Sequence, residues 1–211
     1  MKSKAMVFIT AIVILIPMFV GLILWNQLPN EIAIHFDTSG NADNYCYKGL
    51  AIFGIPLFIL AAQFFCLFMT AHDPKGKNIS DKIYKLVIWI CPICSMIGGI
   101  IMYSDALDVP FPVFSILQAV IGIAIILIGN FLPKSRQNYT IGIRLPWTLN
   151  DKENWNSTHR FAGKVWIAGG LILVINAFLN NWIISLVVIL FLVVIPCIYS
   201  FTYHKKHKNV E

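Results

Sequence analysis

Charge is scarce in this sequence. Only 12% of its 211 residues are Asp, Glu, Lys or Arg, against about 25% in a soluble globular domain. None of them falls near the centre of a long apolar run. Hydrocarbon tolerates a buried charge mainly where an ion or proton pathway needs it, so this absence argues against an ion-coupled transporter. Catalytic signatures are missing as well: there is no HExxH, no G-x-S-x-G and no P-loop. Cysteines are few, and four of the five (Cys66, Cys91, Cys94 and Cys197, but not Cys46) lie inside apolar runs. Cys91 and Cys94 have CxxC spacing but no second pair to complete a zinc site. No catalytic residue, metal site, cofactor or disulfide framework is expected. No internal repeat or low-complexity segment is visible.

What is abundant is apolar: 58% of the residues are hydrophobic. They fall into six runs, each close to the roughly 20 residues that span a bilayer as a helix. The runs are Ala5–Trp25, Leu50–Ala71, Ile83–Tyr103, Val113–Leu132, Phe161–Leu179 and Trp182–Tyr203. The first is too long for the apolar part of a signal peptide and lacks a small-residue cleavage site, so it reads as an uncleaved span. The expected fold is an all-α membrane protein of six transmembrane helices. Two regions are expected: 1–104 with spans one to three, and 105–211 with spans four to six.

The basic residues orient these spans. With the N-terminus in the cytoplasm, fifteen of the sixteen Lys and Arg fall in inward-facing segments, and only Lys48 falls outside. The positive-inside rule then puts both termini and the long loop 133–160 in the cytoplasm. The net charge of +6 is spent on these flanks, which speaks for topology and lipid headgroups and against direct nucleic-acid binding. The loop 26–48 faces out and carries Glu31, Asp37, Asp43 and Lys48. Within it Ile32, Ile34 and Phe36 alternate with Ala33 and His35, a short extended piece. Its candidates for an extracellular ligand are His35, Phe36, Asp37 and Asp43. His35, Asp37 and Asp43 are weak evidence for a metal, because turn formation already explains Asp and Asn here.

The polar interruption Gly129–Gly163 is the identifying stretch. Asn150 with Glu153 three residues later reads as the start of an amphipathic, interfacial helix. That helix carries Trp155, His159, Ala162 and Trp166 on one side and runs into the fifth span. Arg136, Arg144 and Arg160 are suited to forked hydrogen bonds with carboxylate or phosphate. The loop either binds a partner or only seals the bundle. Candidate residues are Asn130, Pro133, Arg136, Asn138, Tyr139, Gly142, Arg144, Pro146, Trp147, Trp155, His159 and Arg160. The mid-span polar residues Gln63, Ser95, Gln118, Asn176 and Ser185 are expected to hydrogen-bond between helices.

These residues carry a resemblance. The run Gly129-Asn130-Phe131-Leu132-Pro133-Lys134, followed by Arg136, Asn138-Tyr139, Ile141-Gly142-Ile143-Arg144, Pro146-Trp147-Thr148-Leu149, Trp155 and Thr158-His159-Arg160, resembles the SdpI family of bacterial immunity membrane proteins. The earlier part, with Leu28-Pro29, Ile34-His35-Phe36, Gly40, Asp43 and Lys48, is similar to the uncharacterised domain that often precedes it. The resemblance implies a multi-pass plasma-membrane protein of a Gram-positive bacterium that confers immunity to, or senses, a secreted membrane-active peptide toxin. It also implies signalling by holding a transcriptional repressor at the membrane, and it supplies no catalytic residue. The expected partners are the bilayer, a peptide toxin outside and a repressor inside. A peptide or lipid transporter is the alternative; a membrane-embedded enzyme ranks below it.

Overall fold

The computed structural model describes residues 4–110 and 112–208, with only the backbone of Lys208. Among them are six helices long and apolar enough to cross a membrane: Lys4–Ile23, Leu50–Ala71, Asp81–Ala106, Val113–Lys134, Lys152–Leu179 and Trp182–His207. A helix satisfies every backbone group within its own segment, which is why apolar runs of this length adopt it in lipid. The chain divides into two compact units, Met1–Met69 with Tyr84–Val113, and Thr70–Ile83 with Phe114–Glu211.

The first unit holds α1 (Lys4–Ile23), a hairpin of β1 (Glu31–Phe36) and β2 (Ala42–Tyr47), α2 (Ile55–Ala71) opened by a π-turn at Leu50–Gly54, and α4 (Ile90–Ala106). The hairpin corrects the all-α expectation: the extended piece at Ile32–Phe36 finds an antiparallel partner. Its alternation is also imperfect, with Ala33 buried and Ile34 exposed. A bulge explains this, because Ala33 faces Tyr45 while His35 faces Asn44, leaving Ile34 unpaired. Leu28, Ile32, Ala51, Ile52, Met102 and Tyr103 form the core beneath the hairpin.

Helix α1 packs on α4 without room to spare. A Cβ on Gly99 would lie 2.6 Å from the Pro17 ring. The Ser95 hydroxyl donates to the Ile14 carbonyl at 2.7 Å, and the Tyr103 hydroxyl to the Pro17 carbonyl at 2.7 Å. Ser95 and Gly99, a small-residue pair four apart, therefore face α1. Gln63 of α2 donates to the Thr10 hydroxyl of α1 at 2.7 Å. The third span is interrupted at Trp89, between α3 (Asp81–Ile88) and α4. Pro92 lacks the N–H that would reach back to Ile88, so the ladder breaks there.

The second unit holds α5 (Val113–Phe131), the short α6 (Pro146–Asn150), α7 (Lys152–Leu179) and α8 (Trp182–Lys208). Two pairs of glycines join α5 and α7. A Cβ on Gly170 would meet the Gly122 carbonyl at 2.7 Å, and one on Gly163 would meet the Gly129 carbonyl at 2.7 Å. Backbone thus lies on backbone along this antiparallel seam. At its far end the Gln118 side-chain oxygen accepts from the Asn176 side-chain amide at 2.5 Å and from the Ser185 hydroxyl at 2.7 Å. The expected interhelical bonds of the mid-span polar residues are present, tying α5, α7 and α8. Asn180, at φ 51°, caps α7 and makes the turn into α8.

Candidate functional site

The polar loop folds onto the first turns of α7. Asp151 caps this helix, accepting from the Glu153 and Asn154 backbone N–H groups at 2.7 and 3.1 Å. This corrects the start expected at Asn150, which instead ends α6. The helix does run into the fifth span as expected, since Lys152–Leu179 is one continuous helix. Its predicted stripe is real, but Trp155, His159 and Ala162 are fully buried, covered by the loop. The loop has no regular ladder of its own, so side chains supply its hydrogen bonds.

Asn138 supplies four of them. Its amide nitrogen donates to the Arg136 and Ile141 carbonyls at 2.8 and 3.0 Å, and its oxygen accepts from the Thr140 and Ile141 N–H groups at 2.9 and 2.6 Å. The chain then crosses the Trp155–His159 stack, whose rings lie 4.0 Å apart. Gly142 makes the crossing at φ +127°, and a Cβ there would sit 2.5 Å from the His159 Nε2. Only glycine satisfies both the conformation and the space. His159 Nε2 accepts the Ile143 N–H at 3.0 Å, while Nδ1 donates to the Trp155 carbonyl at 2.8 Å. Both nitrogens are used, and only the neutral Nδ1–H tautomer satisfies both bonds. The Trp155 indole N–H donates to the Ser135 carbonyl at 2.8 Å.

Further ties come from distant segments. Asp73 accepts from the Tyr139 N–H at 2.9 Å and the Thr140 hydroxyl at 2.6 Å. Asn78 donates to the Gln137 carbonyl at 2.6 Å, and the Lys75 ammonium to the Gln137 side-chain oxygen at 2.7 Å. From α8, the buried Ser200 accepts the Trp147 indole N–H at 2.7 Å and donates to the Asn154 side chain at 3.0 Å. The loop is a fixed platform, built so that few of its polar groups are left idle.

The sequence candidates accordingly separate. Asn138, Trp155 and His159 are buried, and Gly142 lies against the stack, so these four shape the platform. Asn130, Pro133, Arg136, Tyr139, Arg144, Pro146 and Arg160 are exposed, and Trp147 is half-buried. Arg144 is steadied by donating to the Tyr139 carbonyl at 2.7 Å. Asn130, Pro133 and Arg160 share an open cavity of about 500 Å³ with Tyr199. Pro146 and Trp147 line another of about 580 Å³ with His204 and His207.

The stretch that forms this platform matches a known family. Residues 134–200 match the SdpI/YfhL protein family, and residues 12–60 match a domain of unknown function, DUF1648. The chain is 30% identical over 207 residues to the immunity protein SdpI of Bacillus subtilis (strain 168), covering 94% of this chain and 95% of that protein. The chain belongs to the SdpI family. With six spanning helices it is a multi-pass cell-membrane protein. No solved structure matches it.

In this SdpI-family chain the hairpin candidates are held by local turn chemistry. Asp37 accepts from the Ser39 and Asn41 N–H groups, each at 2.8 Å, and Gly40 completes the turn at φ +88°. The Asn41 N–H, more than any other group, holds the Asp37 carboxyl below the usual carboxylate range. His35 Nδ1 contacts the Asp43 carboxylate across the hairpin, and both groups are exposed. Phe36 is half-buried beside them. Asp73, Asn78, Gln137 and Ser200 also belong to the platform and are not among the sequence candidates. The Asp73-Pro74 turn and a serine inside the last apolar run were the only local signals.

Proposed function

We propose that this chain is an immunity protein that protects its cell from, or senses, a membrane-active peptide. What carries the reading is the identity along nearly the whole length of a protein named for immunity. The hairpin faces out and the platform faces the cytoplasm, because that orientation leaves only Lys48 of the sixteen basic residues outside. Lys48 is itself taken up in the hairpin core, where its ammonium donates to the Trp25 and Leu28 carbonyls at 3.1 and 3.3 Å. In the finer reading, the exposed arginines of the platform hold a repressor. What supports it is placement: the Arg136 backbone is held by Asn138 and the Arg144 guanidinium by the Tyr139 carbonyl, so a partner would meet both on one fixed turn.

The test is a deletion strain challenged with membrane-active peptides, with and without the gene restored. Restored survival or restored gene induction supports immunity or sensing; identical behaviour of the two strains against every peptide refutes it. Orientation is read separately with a single cysteine at Ser39 in an otherwise cysteine-free chain. Labelling by an impermeant maleimide in intact cells is expected, and labelling only after lysis refutes the topology. For the repressor reading, Arg136→Ala with Arg144→Ala is expected to abolish recruitment at normal protein level, and unaltered recruitment refutes it.

A further inference from the structure

Below the Asn138 turn lie two adjoining cavities of about 580 and 320 Å³ that share Arg136 and Asn78. Lys75 and Lys152 line the first; Lys77, Lys82 and Lys134 line the second. No carboxylate lines either cavity, and among the described residues none of these six cations lies within ion-pair distance of one. Six like charges around concave walls repel one another and concentrate anions from solution. Two of the six are partly engaged: Lys75 with Gln137 and the Tyr139 ring, and Lys134 over the Phe131 ring. The Arg136 guanidinium and the ammonium groups of Lys77, Lys82 and Lys152 have no side-chain or carbonyl partner among the described residues. A planar fork ringed by mobile point charges suits the several oxygens of a phosphate group.

The second cavity also fixes the level in the membrane. Phe131, the last residue of α5, lines it, and Ser80 and Lys82 stand at the start of the Asp81–Ala106 span. Cations at the ends of two apolar helices, with a phenyl ring at the boundary, are positioned at headgroup depth. We propose that these cavities are a binding site for the phosphate headgroup of an anionic phospholipid. The site does not rest on the immunity reading, since it is argued from charge and position alone; it shares Arg136 with the repressor reading, and Lys77 and Lys82 are the residues that tell the two apart. Lipid bound there would bridge the segment 75–82, the loop at Arg136 and the start of α7 at Lys152, all parts of one unit.

Titration of the full-length protein in neutral detergent tests this, using dioctanoyl phosphatidylglycerol, dioctanoyl phosphatidylcholine and inorganic phosphate as probes. Phosphatidylglycerol is expected to bind, with affinity falling about fivefold for each cation removed in Arg136→Gln and in Lys82→Gln. Lys77→Gln is an independent variant of the same wall. Lys205→Gln with Lys206→Gln removes charge outside both cavities and is expected to leave binding unchanged. Equal weakening in that control, or equal binding of the two lipids, overturns the proposal. Inorganic phosphate binding as tightly as phosphatidylglycerol overturns the lipid assignment.

Discussion

Replacing Gly170 by alanine puts a methyl group 2.7 Å from the Gly122 carbonyl and 3.0 Å from the Ile126 backbone nitrogen. Both are backbone atoms, so no side-chain rotation relieves the clash. Restoring an ordinary contact near 3.4 Å requires α5 and α7 to part by about 0.7 Å at this level. A gap of that size forfeits about a quarter to a half of the dispersion energy of the facing atoms. Lipid tails are as apolar as the seam, so no hydrophobic term compensates, and packing is most of what holds the helices together. Overpacking costs about 1–3 kcal/mol, and about 2 kcal/mol is expected here. Alanine also raises helix propensity by about 1 kcal/mol, which partly conceals the loss. Gly98 supplies the reference, because a Cβ there meets nothing within 4 Å. The difference between Gly170→Ala and Gly98→Ala cancels propensity and leaves the clash. At about 2–4 °C per kcal/mol, the first variant should melt about 4–8 °C below the second. Tm measured on the purified protein in detergent reads this directly. Equal Tm for the two variants would refute the close backbone seam.

Other residues make equally definite demands. Asn138→Ala leaves buried donors and acceptors unpaired at each end of the turn and should cost about 2–4 kcal/mol; faster trypsin cleavage at Arg136 and Arg144 in the detergent-solubilised protein reports it, and an unchanged rate contradicts it. Gly142→Ala meets both a positive φ and the His159 ring, so a loss of about 3 kcal/mol is expected, visible as a lowered Tm and loosened Trp155 fluorescence. Asp37 has a carboxyl held below its ordinary range, so its hydrogen bonds stabilise the hairpin turn fully above the unfolded carboxylate pKa of about 3.9. That contribution is lost as pH falls through the lowered folded value. Amide exchange at Ser39 and Asn41 should therefore stay slow through mildly acidic pH and accelerate only below it, and Asp37→Asn should remove the dependence.

The spans were legible because a bilayer accepts so few solutions. An apolar run of about 20 residues has to be a helix there, whatever its neighbours are. The hairpin was half legible: Ile32–Phe36 reads as extended, but Ala42–Tyr47 has no comparable alternation, and it becomes a strand by pairing with β1. The helix starts one residue later than its spacing suggests, because Asn150 and Asp151 are both able to cap and α6 takes the first. The glycine seam is not legible, although its spacing is written in the chain. Gly122 and Gly129 lie seven residues apart on α5, as Gly163 and Gly170 do on α7. Either pair alone looks like ordinary helix composition, and only the antiparallel match gives it meaning.

The sequence by itself determined the membrane setting, the number of spans and the stretch Gly129–Gly163 that marks the family. Those are properties of composition and local order, which need no partner to express them. The tertiary structure decided which residues of that stretch are scaffold and which are surface. Trp155 and His159 look from their spacing like an interfacial face, yet they are buried because Gly142 lets the loop cross over them at close range. Arg136 looks like one basic residue among many, yet it stands between two cavities because Asp73 and Asn78, about sixty residues earlier, hold the loop there. Bonds between residues so far apart in the chain leave no periodicity or spacing to read, and only the folded backbone brings them together.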